Sequence, residues 1–146
     1  MLSLRTEDNM IVYLDTSSLV KLYVQEDGSL KVEILVRDSE ATATSIIAYA
    51  EARAAFARRF REKAFTPKEH NRIKEFLDKD WDNYLILSVT GDMIRLAGDL
   101  AEKHALRDFD SIHLASALTL RRELSSPVMF SCFDDNLQKA FEYEDI

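Results

Sequence analysis

Met10-Ile11-Val12-Tyr13-Leu14-Asp15-Thr16-Ser17-Ser18-Leu19-Val20-Lys21 is the stretch on which the reading of this chain turns. The apolar run from Met10 to Leu14 is too short for a helix and reads as a strand buried on both faces, which places it in the middle of a sheet. Asp15 stands where the strand stops. Thr16, Ser17 and Ser18 then open a segment with helical apolar spacing (Leu19, Val20, Tyr23), so the carboxylate falls at a strand-to-helix junction. Asp is a preferred helix N-cap, and that role alone would account for it. In an open parallel sheet, however, the same edge is where ligands bind, and Asp15 becomes a candidate functional residue if further carboxylates reach it.

Length and composition narrow the classes. The 146 residues suit one domain with a full core, and 47% apolar with 31% charged residues and few Gly or Pro describe a folded, helix-rich protein. Cys132 is the lone cysteine, so no internal disulfide framework exists. With no signal-peptide pattern and no apolar run of membrane-spanning length, the expected location is the cytoplasm, away from any membrane. A formal net charge of −7 argues against a general nucleic-acid coat protein, which must neutralise phosphates with Lys and Arg. Acidic side chains holding divalent cations would reconcile such a chain with an anionic substrate.

Residues 1–9 are polar and without periodicity and read as a flexible leader, with the folded domain at residues 10–146. Gln25 to Ser29 reads as a turn, Leu30, Ile34 and Leu35 as a short amphipathic helix ending near Arg37, and Ala41 to Thr44 as a second strand. From Ser45 the composition is strongly helical, with Thr44 or Ser45 as the cap. Ile47, Glu51, Ala54, Ala55 and Arg58 share one face of that helix. Glu51 thus projects from a side of small groups where another element can approach. Arg53, Arg58, Arg59, Arg61 and Lys63 form a basic tail that complements the helix C-terminus; an RNA-facing patch is the alternative. Thr66-Pro67-Lys68-Glu69 is a capping box with Pro at the first helical position, and Ile73, Phe76, Leu77 and Trp81 form the buried stripe that follows. Tyr84 to Val89 suits another buried strand, and Thr90 caps a helix with Met93, Leu96, Ala97, Leu100 and Ala101 inward. His104 ends it as a surface residue favoured by the helix dipole.

Two later segments add acids. Asp108 and Asp110 precede or begin a helix containing Ile112, Leu114, Ala115 and Leu118, and one of them can cap it. A start near Asp108 puts Asp110 in the first turn, on the face shared with His113, Leu114 and Ala117. His113 reads as a hydrogen-bonded packing residue, since no second His or Cys stands at metal-ligand spacing. Pro127 to Phe133 reads as a strand, followed by Asp134 and Asp135 opening a helix, which repeats the geometry of Asp15. Phe141 to Ile146 reads as a short edge strand.

Alternation of strands and helices argues an α/β fold with a mostly parallel central sheet flanked by helices. Right-handed crossovers bring strand-to-helix junctions to one edge, so Asp15 and Asp134 can approach each other, with Glu51 and Asp110 completing a ring. Four hard oxygen donors without His or Cys select Mg²⁺ or Mn²⁺.

Four segments in order, Tyr13 to Tyr23, Ala48-Tyr49-Ala50-Glu51, Leu106 to Ala115, and Phe133-Asp134-Asp135-Asn136-Leu137, resemble PIN-domain ribonucleases, specifically the VapC toxins of toxin–antitoxin pairs. The resemblance runs from Met10 to about Phe141 and implies a single PIN-like domain. By it, Asp15, Glu51, Asp110 and Asp134 match the family's acids, while Asp108 and Asp135 are neighbours. Asp15 and Asp110 would be direct metal ligands, with Glu51 and Asp134 binding directly or through water. The implied activity is Mg²⁺-dependent endonucleolytic cleavage of structured RNA such as tRNA or ribosomal RNA, by a homodimer silenced by a cognate VapB-type antitoxin that inserts a peptide near the acids. Cys132 stands where the family often has Thr or Ser.

Other readings fit less well. A phosphatase of the haloacid-dehalogenase type needs a second Asp where Ser17 stands. A receiver domain needs an acidic pair near the first strand and a Lys after a late one. A non-catalytic PIN module binding RNA or protein would usually have lost one or more of the acids, and all four are here.

Overall fold

Alternation along the first strand divides the molecule. The computed structural model describes residues 10–145. In β1 (Ile11–Leu14) every residue is buried, because Ile11 and Tyr13 point into one apolar cluster and Val12 and Leu14 into another on the opposite face. β1 is flanked by β2 (Ala41–Ser45) on one side and β4 (Val128–Ser131) on the other, with β3 (Leu85–Leu87) beyond β2. All three pairings are parallel; Tyr13 lies beside Ala43 and Phe130. Parallel strands require crossovers, and the helices between them supply the two outer layers.

The layers follow the order of the chain. α1 (Thr16–Lys21), α2 (Ser29–Asp38), α3 (Ile47–Arg61) and α4 (Pro67–Trp81) cover the Val12 and Leu14 face with Leu19, Val20, Val32, Ala48, Ala52, Phe56 and Leu77. α5 (Gly91–His104), α6 (Asp108–Glu123) and α7 (Asp135–Glu144) cover the other, with Met93, Leu114, Leu118, Leu137 and Phe141 packed on Tyr13 and Phe130. The chain leaves β1 toward β2 and β3, then returns past it to β4. The strand order therefore reverses between β1 and β4, and at such a switch point the two carboxyl ends diverge to leave a crevice.

Several elements match their sequence signals. Thr66 and Glu69 make the reciprocal capping box, and Thr90 accepts from Met93 N–H at the start of α5. Gly28, at φ 93°, starts α2 from the left-handed region that favours glycine.

Others differ. Phe141 to Glu144 belong to α7 and form no edge strand: Leu137, Ala140 and Phe141 bury one helical stripe; Ile146 lies outside the described residues, as does the expected leader, residues 1–9. β3 is an edge strand of three residues with Leu85 42% exposed, not a buried one, since only β2 pairs with it. Ser45 ends β2 and α3 begins at Ile47. Thr44 Oγ1 donates to Leu14 O at 2.7 Å, while Ser45 Oγ still accepts from Ile47 N–H at 3.3 Å. Within the stripe of α4, Leu77 is buried but Phe76 is exposed. His104 is no free surface residue; it is hydrogen-bonded to Glu144 at 2.6 Å. In the basic tail, Arg59 pairs with Glu26 at 2.7 Å and Arg58 with Glu62 at 3.5 Å.

Candidate acidic site at the sheet edge

Asp15 is fixed by its backbone before its side chain acts. Its N–H donates to Ser131 O at 3.1 Å, which ties the end of β1 to the end of β4. Its Oδ1 accepts from Ser18 N–H at 2.9 Å and from Ser17 Oγ at 2.7 Å, so it is the N-cap of α1. The side chain is 5% exposed. Burial raises its pKa, partly offset by the bonds from Ser18 and Ser17 and by His113. Ser18 Oγ reaches both Ser131 O and Ser131 Oγ at 2.9 Å and closes the seam between α1 and β4.

Asp134 occupies the corresponding place after β4. Its Oδ1 accepts from Leu137 N–H at 2.9 Å and caps α7, as its position before an apolar-periodic run predicts. Asp110 arrives from the first turn of α6. That helix has Arg107 in the cap position with no side-chain cap bond, so Asp110 is free of capping duty; the Asp108 side chain lies outside the described residues. Burial, then the negative charges of Asp134 and Asp15, raise the pKa of Asp110 against the favourable influence of His113 and Arg107. Asp110 thus lies within reach of the charges of both Asp15 and Asp134, which follow β1 and β4 at the switch point.

Glu51 comes from the other layer, on α3. Its flanking Ala48 and Ala52 are fully buried, and its carboxylate is turned to the sheet edge: Oε1 accepts from the Thr16 hydroxyl and lies 3.1 Å from His113 Nε2. Burial opposes ionisation of Glu51, but the bonds from His113 and Thr16 outweigh it and hold the pKa below the usual value. The His113 ring also stands 3.1 Å from Thr16 Oγ1, and its Nδ1 is 2.8 Å from the Tyr13 hydroxyl. His113 is the hydrogen-bonded packing residue its context predicts. Tyr13 and Thr16 carried no signal of this contact beyond their places beside Asp15.

Cys132 lies next to the acids without joining them. Its thiol points to Asp134 O at 3.5 Å and Gln138 Oε1 at 3.6 Å, and burial with the nearby Asp15, Asp134 and Asp110 charges pushes its pKa up to about 12. A thiol held so high is disfavoured as a thiolate, the reactive form.

The donor set suits a hard divalent cation by chemistry: carboxylate oxygens, an excess of negative charge, and two acids whose raised pKa values would fall beside a cation. Among the described residues, no three His, Cys, Asp or Glu side chains are drawn together tightly enough to close around an ion as they stand. One oxygen of Glu51 and one of Asp134 are engaged by the protein, leaving the other of each for an ion or its waters.

Such a domain, a parallel α/β sheet with acids gathered at its switch point, belongs to the class of folds that bind ligands at this edge. Comparison with known proteins agrees and is more specific. The PIN domain family model matches residues 12–140. Two Mycobacterium tuberculosis proteins, Ribonuclease VapC45 (strain CDC 1551 / Oshkosh) and Ribonuclease VapC49 (strain ATCC 25618 / H37Rv), are each 36% identical over 114 residues, covering 75% of this chain and 76% of theirs. The fold is also similar, with a TM-score of 0.55 and 16% identity over 86% of this chain and 100% of the other, to a chain in the crystal structure of VapBC2 from Rickettsia felis bound to a DNA fragment from their promoter. The chain belongs to the PIN-domain family, as a member of the VapC type.

Proposed function

We propose that this protein is a divalent-metal-dependent endoribonuclease, the toxin of a VapBC-type pair, that hydrolyses phosphodiester bonds in structured RNA such as tRNA or ribosomal RNA. The observation that carries it is the placement of Asp110, half-buried, within reach of the negative charges of Asp134 and Asp15 at the switch point, an arrangement that a bound cation would stabilise. The 36% identity to two proteins named ribonucleases supports the activity. The VapBC2 likeness supports a VapB-type antitoxin as partner, and a homodimer is what the family resemblance implies. No helix among the described residues is long and apolar enough to cross a membrane, in keeping with a cytoplasmic site of action.

Asp15 and Asp110 are the residues for direct contact with Mg²⁺ or Mn²⁺. Asp15 is held rigidly by its cap, while Asp110 has no capping bond to give up. When bound, the ion supplies a water acidified for attack and neutralises charge on the reacting phosphate. Glu51, fixed by Thr16 and His113, would hold the ion directly or through a water from the far side of the edge and could orient the attacking water. Asp134 adds the fourth charge from the α7 cap. All four acids are retained, which favours a catalytic protein over a PIN-fold module that only binds RNA or protein.

The test is cleavage of total tRNA and ribosomal RNA by purified protein with Mg²⁺, Mn²⁺ or EDTA, with cut ends mapped. Cleavage requiring metal, and lost in Asp15→Asn and Asp110→Asn, is the expected result. Metal-independent cutting, or wild-type rates in either variant, would refute the assignment.

A further inference from the structure

We propose that His113 is the positioning residue of this site: locked from behind by Tyr13, it presents an N–H to Glu51 and so holds that carboxylate, which comes from the opposite helical layer, at the same edge as Asp15. The inference rests on the proposed function only in taking Glu51 as part of the reacting site.

The ring cannot drift. His113 is 1% exposed, and its Nδ1 lies 2.8 Å from the hydroxyl of Tyr13, which is itself fully buried. Tyr13 stacks on Phe130 with centroids 5.7 Å apart, and Phe130 on Phe141 at 4.9 Å, so the rings form a file from β1 through β4 into α7. His113 meets Tyr13 edge to face, at 68°. At the open end, Nε2 stands 3.1 Å from both Glu51 Oε1 and Thr16 Oγ1.

Hydrogen-bond logic sets the tautomer of the neutral ring. A carboxylate only accepts, so the nitrogen facing Glu51 must carry the hydrogen, and in the neutral imidazole Nδ1 is then a bare acceptor for the Tyr13 O–H. Thr16 donates to the same Oε1, which is thereby held by two donors while Oε2 stays available. Among the described residues Thr16 and His113 are the two donors to Glu51, which sits on α3 between alanines and whose long side chain would otherwise sample several rotamers. His113 on α6 reaches across the sheet edge to supply one. Partners of this type, which touch a ligating group without touching the metal, commonly change metal affinity by about 10- to 100-fold when removed.

Two isosteric replacements divide the ring's functions. His113→Gln puts an amide N–H near the place of Nε2 and keeps the donor to Glu51. His113→Asn puts its amide near the place of Nδ1 and keeps only a partner for Tyr13. Mn²⁺ titration by calorimetry should show affinity reduced about 10-fold or more in His113→Asn and within about 3-fold of wild type in His113→Gln. RNA cleavage should follow, with kcat falling in the Asn variant and KM for RNA unchanged. Equal affinities in two folded variants would overturn the proposal, as would equal losses in both that track a shared drop in melting temperature. Failure of the underlying function looks different, since the wild type would then neither bind Mn²⁺ nor cleave RNA. The proposal keeps its own readout in that event: ¹⁵N shifts of the metal-free wild type should show His113 protonated at Nε2 and bare at Nδ1, and the opposite tautomer would overturn it.

Discussion

Replacing Asp15 by Asn and by Ala separates two functions of one side chain. As the cap of α1, its Oδ1 accepts from Ser18 N–H at 2.9 Å and Ser17 Oγ at 2.7 Å. Asn keeps that oxygen, and the two residues cap helices about equally well; Ala abolishes the cap at a cost of about 1 kcal/mol. The charge acts in the other direction, because a carboxylate 5% exposed is ionised against its burial and beside Asp110. Metal-free Asp15→Asn should therefore melt level with wild type or above it, and Asp15→Ala about 2–4 °C below the Asn variant, at the roughly 2–4 °C per kcal/mol expected for a chain of this size. Metal reverses the order. At ten times its dissociation constant a bound cation stabilises the wild type by about 1.4 kcal/mol, or about 3–6 °C, and neither variant should show that rise. Differential scanning calorimetry with EDTA and with Mg²⁺ reads all six values. If Asp15→Asn melted as low as Asp15→Ala without metal, the buried charge would be stabilising and the reasoning wrong. A full Mg²⁺ shift in the Asn variant would remove Asp15 from the ligands.

Other outcomes follow from the same geometry. Asp110 has a raised pKa, so its contribution to stability is present below the unfolded value near 3.9 and lost as pH rises through the folded one. The metal-free stability advantage of Asp110→Asn over wild type, from urea unfolding, should grow from pH 4 to pH 7, and a constant gap would show that the neighbouring acids do not repel it. Glu51 has a lowered pKa and runs the opposite way: its contribution is present at neutral pH and lost as pH falls through its folded value, so Glu51→Gln should cost more at pH 7 than at pH 4. The Cys132 thiol, pushed up to about 12, should alkylate at pH 8 at least about tenfold more slowly than a free cysteine, and Cys132→Ser should retain cleavage; a folded but inactive Ser variant would give the sulfur a role in the site. Leu77, fully buried on the inner face of α4, should cost about 2–5 kcal/mol when cut to Ala while Mn²⁺ affinity in the folded fraction is unchanged, which equilibrium unfolding and calorimetry check together.

The sequence by itself determined whatever is set by residues within a turn or two of one another. A five-residue apolar run followed by Asp and hydroxyls defines a strand meeting a helix, and the Thr66 to Glu69 box defines a helix start, because capping bonds reach only two or three residues along the chain. The same reach explains the misplacements. Phe141 looks like a strand residue and Leu85 like a buried one to their neighbours; the helical stripe shared with Leu137 and Ala140 and the place of β3 at the sheet edge decided otherwise. Four acids at helix starts or on a helix face were legible as candidates, and the resemblance put them in one family. Only the tertiary structure decided that Asp15 and Asp134 are neighbours, through the pairing of β1 with β4 and the bond from Asp15 N–H to Ser131 O, more than a hundred residues along the chain. It alone joined His113 to Tyr13 and Glu51 across the sheet edge, since three elements from two layers meet there and no local spacing encodes their contact.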